Sequence, residues 1–136
     1  MPGEDEDTAA VQSVMPFART LGIRVLVYRA DEVKARLGWD EGLCTSGGAM
    51  HGGALMALAD TTGGACAFLN LPDGATGTTT IESKTNFIRA VRSGHAEATS
   101  RPLHVGRTVV VVETDVVDAD GRLAARVVQS QLVLRP

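Results

Sequence analysis

Apolar and polar positions along the chain follow two rhythms, and the change between them divides the sequence into elements. Val11, Val14, Met15 and Ala18 recur at near-helical intervals between Ala9 and Thr20, with Pro16 interrupting, which predicts a short, imperfect helix. The acidic, polar residues 1–8 before it read as a disordered arm. Ile23 to Tyr28 is a β-branched run that predicts a strand, with Val33 to Trp39 as its hairpin partner. Asp40 to Met50, rich in Gly, Ser and Thr, predicts a loop leading into His51-Gly52-Gly53. Ala54 to Leu69 is apolar nearly all round, as expected of a helix buried on most sides, and Pro72-Asp-Gly74 ends it. Thr76–Ala90, His95–Val105, Arg107–Val117 and Arg122–Leu134 are each β-rich and read as four long strands of a meander. Asp120-Gly121 is a hairpin signal, and the single Gly106 predicts a bulge or tight bend.

This order predicts an α+β domain over residues 21–136, one helix packed on a face of a curved antiparallel sheet, preceded by an arm and short helix over 1–20. Such a sheet has edge strands to cover, and pairing between two copies covers them, so at least a dimer is expected. The length of 136 residues and the 44% hydrophobic content suit one domain with its own core. A net charge of −3 gives no reason to expect nucleic acid or an anionic membrane, and three Phe, one Tyr and one Trp make a poor base-stacking platform. No apolar run approaches membrane-spanning length and the acidic start lacks the layout of a secretory signal, so a cytoplasmic protein is expected. Cys44, Cys66, His51, His95 and His104 show no ligand spacing, so neither a disulfide framework nor a metal site is expected.

The candidate chemistry begins with Asp60, a carboxylate within an apolar helix, where a charge is costly unless something uses or satisfies it. Its helical neighbours are Met56, Ala57, Gly63 and Gly64, mostly small, which leaves space beside it. A general base or nucleophile is one reading; the plainer one is that Asp60, Thr61 and Thr62 cap a second helical segment. His51-Gly52-Gly53 precedes the helix, where unpaired N–H groups and the helix dipole can receive developing negative charge, or where the glycines merely allow a tight turn. Eight residues separate Gly52 from Asp60, roughly 12 Å at the helical rise, so one carbonyl cannot touch both. If both serve one reaction, they come from different subunits of a two-fold dimer. His51 and Asp60 lie on opposite helix faces, which leaves His51 to hold the loop by hydrogen bonds.

Gly48-x-x-His51-Gly52-Gly53-x4-Leu58-x-Asp60, followed by Thr80-x6-Phe87 and His104-x-Gly106-Arg107, resembles the hotdog-fold acyl-CoA thioesterases, in particular the phenylacetate-degradation and 4-hydroxybenzoyl-CoA branch. The resemblance covers about residues 21–135. It implies a hotdog fold, dimers often paired into tetramers, and an acyl-CoA substrate with no metal or other cofactor. It also implies Asp60 as base or nucleophile and the Gly52 N–H as oxyanion donor, with His51 and Gly53 beside them. Thr80 falls where relatives place a hydroxyl that positions water, and Gly64 lies beside the acyl pocket. Thr45 stands where relatives often carry Asn, and it lacks the amide's paired donor and acceptor. Coenzyme A contacts are implied around Phe87, Arg89 and Arg92 and around His104, Gly106 and Arg107, within a stretch that carries Lys84, Arg89, Arg92, Arg101 and Arg107 against Glu97 alone. A solvated strand face accounts equally for those cations. Two other activities compete with hydrolysis: a hotdog hydratase or dehydratase, for which no histidine is well placed, and a non-catalytic acyl-CoA binder, which gains little from a buried carboxylate.

Overall fold

A computed structural model describes residues 3–136. Helix α1 spans Glu4–Val14 and α2 spans Pro16–Leu21, separated at Met15 where Pro16 opens the second helix. The expected disordered arm is therefore corrected for residues 4–8, while Met1 and Pro2 lie outside the described residues. Glu4, Asp5, Glu6 and Asp7 occupy the first turn of α1, where carboxylates favour the positive end of the helix dipole. The acidic run that reads as disorder is a helix start. Thr8 then fastens α1 to the sheet, its Oγ1 accepting from the Val25 N–H at 2.8 Å.

Strands β1 (Arg24–Arg29) and β2 (Glu32–Gly38) form the predicted hairpin, and α3 (Gly52–Leu69) is the predicted central helix, two residues longer at its start. Then follow β3 (Gly77–Phe87), β4 (His95–Val105), β5 (Val109–Asp118) and β6 (Leu123–Leu134). All six strands pair antiparallel in one sheet of order β1-β2-β4-β5-β6-β3. The four-strand meander is corrected here: β4, β5 and β6 are a meander, but β3 pairs with β6 and forms an outer edge. The connection from β3 to β4 returns across the helix start, burying Val91, whose carbonyl accepts from the Met50 N–H at 2.8 Å. Alternation specifies which face a residue takes and says nothing about which strand lies beside it.

The inner face of the sheet presents Ala35, Ala96 and Ala98 beside Val112, Val116 and Val127, and Leu55, Leu58, Ala59, Ala65 and Cys66 of α3 pack down on it. Small residues on the sheet let the helix approach closely, and the apolar area removed from water is the main favourable term holding the two layers together. The result is a curved antiparallel sheet around one long helix, the hotdog fold. No helix among the described residues is long and apolar enough to cross a membrane.

Asp118 to Gly121 closes the β5–β6 hairpin as predicted, with Gly121 at φ 81°. The Arg122 N–H donates to Asp118 Oδ1 at 2.9 Å, as does the Asp120 N–H, and Arg122 Nε donates to Oδ2 at 3.2 Å. These bonds, the Arg122 backbone N–H first, hold the Asp118 carboxyl below the usual carboxylate range. A folded-state pKa lowered in this way contributes stability above the unfolded value of about 3.9, and that contribution is lost as pH falls through the folded value. Thermal melts from pH 6 down to pH 2.5 should show wild type above Asp118→Asn at the neutral end, with the gap closing below about pH 4.

Candidate active site

The start of α3 organises one half of the site. His51 is its N-cap, and His51 Nδ1 accepts the Gly53 N–H at 2.7 Å. The His51 carbonyl accepts from the Ala54 and Leu55 N–H groups at 2.8 and 3.3 Å, and the His51 N–H donates to the Leu43 carbonyl at 2.8 Å. Of the first N–H groups of the helix, the Gly52 N–H is left without an acceptor among the described residues. The expectation that His51 holds the loop is met by these bonds. The Phe87 ring lies over Gly52, so close that a Cβ there would sit 3.0 Å from Phe87 Cζ. Gly52, Met50, Leu55 and Phe87–Ala90 line a cleft of about 390 Å³.

The other half lies farther along α3. Asp60 is exposed on the chain surface and opens into a separate, larger cleft of about 760 Å³. Its walls are Gly64, Ala65 and Phe68 of α3, Thr78 to Thr80 of β3, and Val14, Met15 and Phe17 of the N-terminal helices. A Cβ on Gly64 would meet only Met15 Cε, at 3.7 Å, so Gly64 borders open space. The capping alternative for Asp60 is overturned, because α3 is continuous from Gly52 to Leu69 and Thr62 Oγ1 donates back to the Leu58 carbonyl at 2.7 Å.

Thr80 Oγ1 donates to Asp60 Oδ1 at 2.7 Å. Two residues that sequence reasoning missed complete this contact: Gln129 Nε2 donates to Asp60 Oδ1 at 3.0 Å, and Gln131 Nε2 donates to Thr80 Oγ1 at 2.6 Å. Thr78 Oγ1 donates to Gln131 Oε1 at 3.1 Å. Both glutamines are buried on the inner face of β6, between Val127 and Val133. Their signal in the sequence is a Gln-x-Gln pair at inward positions of an otherwise apolar strand. Asp60 Oδ2 has no hydrogen-bond partner among the described residues.

The remaining candidates fall elsewhere. Thr45 is exposed in the loop before α3, and its N–H donates to the Ala49 carbonyl at 2.8 Å. Arg92 Nη1 donates to the Gly47 carbonyl at 2.7 Å, pinning that loop, and Arg89 lines the Gly52 cleft. His104, Gly106 and Arg107 lie at the β4–β5 turn. There the Gly106 N–H donates to the Val109 carbonyl at 2.9 Å, and a Cβ would come within 2.8 Å of His104 Nε2. Arg107 borders a cleft with Pro72, Asp73 and Arg135, beyond the far end of α3. An 18-residue helix is about 27 Å long, so one chain does not bring Phe87–Arg92 and His104–Arg107 together. Arg101 of the same basic stretch is engaged by Glu32 at 2.6 Å.

Cys66 is no rival nucleophile. It faces the sheet fully buried, and burial, with the Asp31 charge second, pushes its thiol up to about 11. Among the described residues no three His, Cys, Asp or Glu side chains gather as metal ligands.

A model of the thioesterase superfamily matches residues 47–125, a span that includes His51, Gly52, Asp60 and Thr80. The chain belongs to this superfamily. Its activity class is thioester hydrolysis. A Saccharolobus solfataricus protein named "Putative esterase SSO2140" is 34% identical over 115 residues, 85% of this chain and 81% of that one. The Bacillus subtilis protein named "Putative esterase ComA2" is 34% identical over 104 residues, 76% of this chain and 82% of its own length. The crystal structure of a Haemophilus influenzae thioesterase superposes with a TM-score of 0.87 at 24% identity, covering 99% of this thioesterase-family chain and 92% of that one, which shows the same fold.

Removing the histidine cap should weaken the fold of this superfamily member through the helix start. His51→Ala is expected to lose about 1 kcal/mol in urea denaturation, and His51→Asn, which restores a capping acceptor, should recover most of it.

Proposed function

We propose that this thioesterase hydrolyses acyl-CoA esters, with Asp60 as general base and the Gly52 N–H as oxyanion donor, the two supplied by different subunits of a dimer. The observation that carries this reading is the unengaged pair of atoms, Asp60 Oδ2 and the Gly52 N–H, in two clefts that share no residue. In each site Asp60 Oδ2 takes a proton from water as the water oxygen attacks the thioester carbon. The Gly52 N–H of the other subunit receives the developing oxyanion, aided by the positive end of α3. The C–S bond then breaks, and the proton held by Asp60 passes to the departing sulfur.

The edge strand supports the pairing. β3 exposes Ile81 and Phe87, with Ile88 just beyond it, and the outer edge of this 11-residue strand offers N–H and C=O groups for another strand to pair with. Phe87 lies over Gly52 and Thr80 bonds Asp60, so antiparallel pairing of two β3 edges with Phe87 opposite Thr80 brings each Gly52 toward the other copy's Asp60. That register is centred between Ser83 and Lys84. The same pairing sets the Phe87–Arg92 end of one copy beside the Arg107–Arg135 end of the other, which gathers cations for the phosphates of coenzyme A. The acyl group occupies the cleft beside Gly64, whose wall formed by Val14, Met15 and Phe17 is apolar. Two unpaired cysteines, Cys44 and Cys66, agree with a cytoplasmic protein.

With a panel of phenylacetyl, hydroxybenzoyl, short-chain and long-chain CoA esters, wild type should release free thiol and Asp60→Asn should lose at least about 10²-fold in turnover. Thiol release that survives in Asp60→Asn refutes the base assignment. Gly64→Leu, which points into open space, should fold normally and shift preference toward shorter acyl groups. Gly52→Pro removes the oxyanion donor at a first helical position that tolerates proline, and its ring also displaces the Phe87 side chain lying over Gly52 in the same chain. Each variant alone should be nearly inactive, whereas refolding Asp60→Asn together with Gly52→Pro should restore about a quarter of wild-type activity, because half the dimers are mixed and each has one intact site. No recovery on mixing would place both groups in one chain.

A further inference from the structure

Among the described residues the Asp60 carboxylate is hydrogen-bonded through one oxygen only, and the route of those contacts is directional. An ionised carboxylate accepts hydrogen bonds and donates none. The 2.7 Å contact between Thr80 Oγ1 and Asp60 Oδ1 therefore uses the single hydroxyl proton of Thr80. Thr80 can then only accept from Gln131, which requires Gln131 to present its NH₂ group there, 2.6 Å away. With its amide so oriented, Gln131 offers Oε1 to the Thr78 hydroxyl at 3.1 Å. The same logic orients Gln129, whose Nε2 donates to Asp60 Oδ1 at 3.0 Å and whose Oε1 is left buried against Gly63 with no partner among the described residues. A buried, unpaired carbonyl is a cost that an apolar side chain, such as the valines on either side of this pair, would avoid. Gln129 is there for what its other end does.

We infer that Gln129 and Gln131 are positioning residues for the thioester hydrolysis. The pair on β6 engages Asp60 Oδ1, directly and through Thr80, so that Oδ2 is the oxygen left unbonded on a carboxylate that lines the 760 Å³ cleft. Turning the carboxylate plane away from this position would break both contacts at once, and a half turn merely exchanges two equivalent oxygens, so one oxygen always stays bonded and the other free. The orientation of the base is thus set from the sheet, which leaves the lone pairs of Oδ2 free. Thr80 cannot donate to the attacking water, because its proton is committed to Asp60 for as long as Gln131 donates to it. Neither glutamine falls within residues 47–125, the span the superfamily model matches, so this buttress is additional to the His51–Asp60 segment that identifies the family.

The inference rests on Asp60 as the base, and a double-mutant cycle separates the two claims. Steady-state turnover of phenylacetyl-CoA and octanoyl-CoA is measured for wild type, Gln131→Met, Thr80→Val and the double variant, with thermal melts to confirm folding. Gln131→Met should lower kcat by about tenfold and leave KM within about twofold, since the lost interaction orients the base and does not bind the ester. In the Thr80→Val background the same change should alter kcat by less than about twofold, because Gln131 acts only through that hydroxyl. Thr80→Ser, which keeps the hydroxyl, should restore both the rate and the sensitivity to Gln131→Met. Equal losses from Gln131→Met in both backgrounds, or a rise in KM that accounts for the loss, would overturn the positioning role and leave Asp60 as base intact. If Gln131→Met does not fold, Thr78→Val reads the same relay from its outer end, and a kcat unchanged there overturns it too. Turnover that persists in Asp60→Asn would instead remove the base reading, and this inference with it.

Discussion

The structure depends on the burial of one long apolar helix against a sheet whose facing residues are small. Ala35, Ala96 and Ala98 let α3 lie close enough for Leu55, Leu58 and Cys66 to be sealed from water, and close packing fixes the helix in one rotation about its axis. That rotation has a chemical consequence. With one side of α3 committed to the sheet, Asp60 is turned to the open side, and its reach is limited to β3 and the inward side chains of β6. The helix also sets a ruler: Gly52 and Asp60 are held about 12 Å apart by the rise of the backbone, too far to meet on one carbonyl.

The polar seam on β6 offsets the cost of setting a charge on such a helix. A carboxylate beside an apolar surface is stabilised only if its oxygens are bonded, and here Gln129 and Thr80 bond one oxygen while the other remains free. The seam is narrow, with valines flanking the glutamines at the preceding and following inward positions, and it lies under Asp60 and nowhere else on the strand. Packing and polar satisfaction thus agree on the same position.

Local backbone chemistry does the corresponding work at the other end of α3. The His51 side chain satisfies the Gly53 N–H and the His51 carbonyl satisfies the next two, which leaves the Gly52 N–H as the donor that the helix start does not use. A side chain at position 52 would also collide with the Phe87 ring, so glycine here keeps the approach to that N–H open.

Periodicity and turn glycines act over a few residues, so the central helix, the strands and the hairpin turns were legible in the sequence alone, while the single short helix expected between Ala9 and Thr20 is two helices, Glu4–Val14 and Pro16–Leu21. The sequence placed α3, the β1–β2 and β5–β6 hairpins, the Gly106 bend and the isolation of Gly52 from Asp60 along the helix, whereas the capping role of His51 appears only in the structure. It misjudged Glu4–Asp7, since an acidic run looks the same in a solvated arm and in a first helical turn. That β3 pairs with β6 at an edge emerges only in the folded chain, since period-two alternation carries no information about neighbours. Only the fold separated the two basic segments to opposite ends of α3 and brought Gln129 and Gln131 under Asp60. Those contacts join residues 51 to 69 positions apart, and a hydrogen bond across that distance leaves no local pattern for a sequence to display.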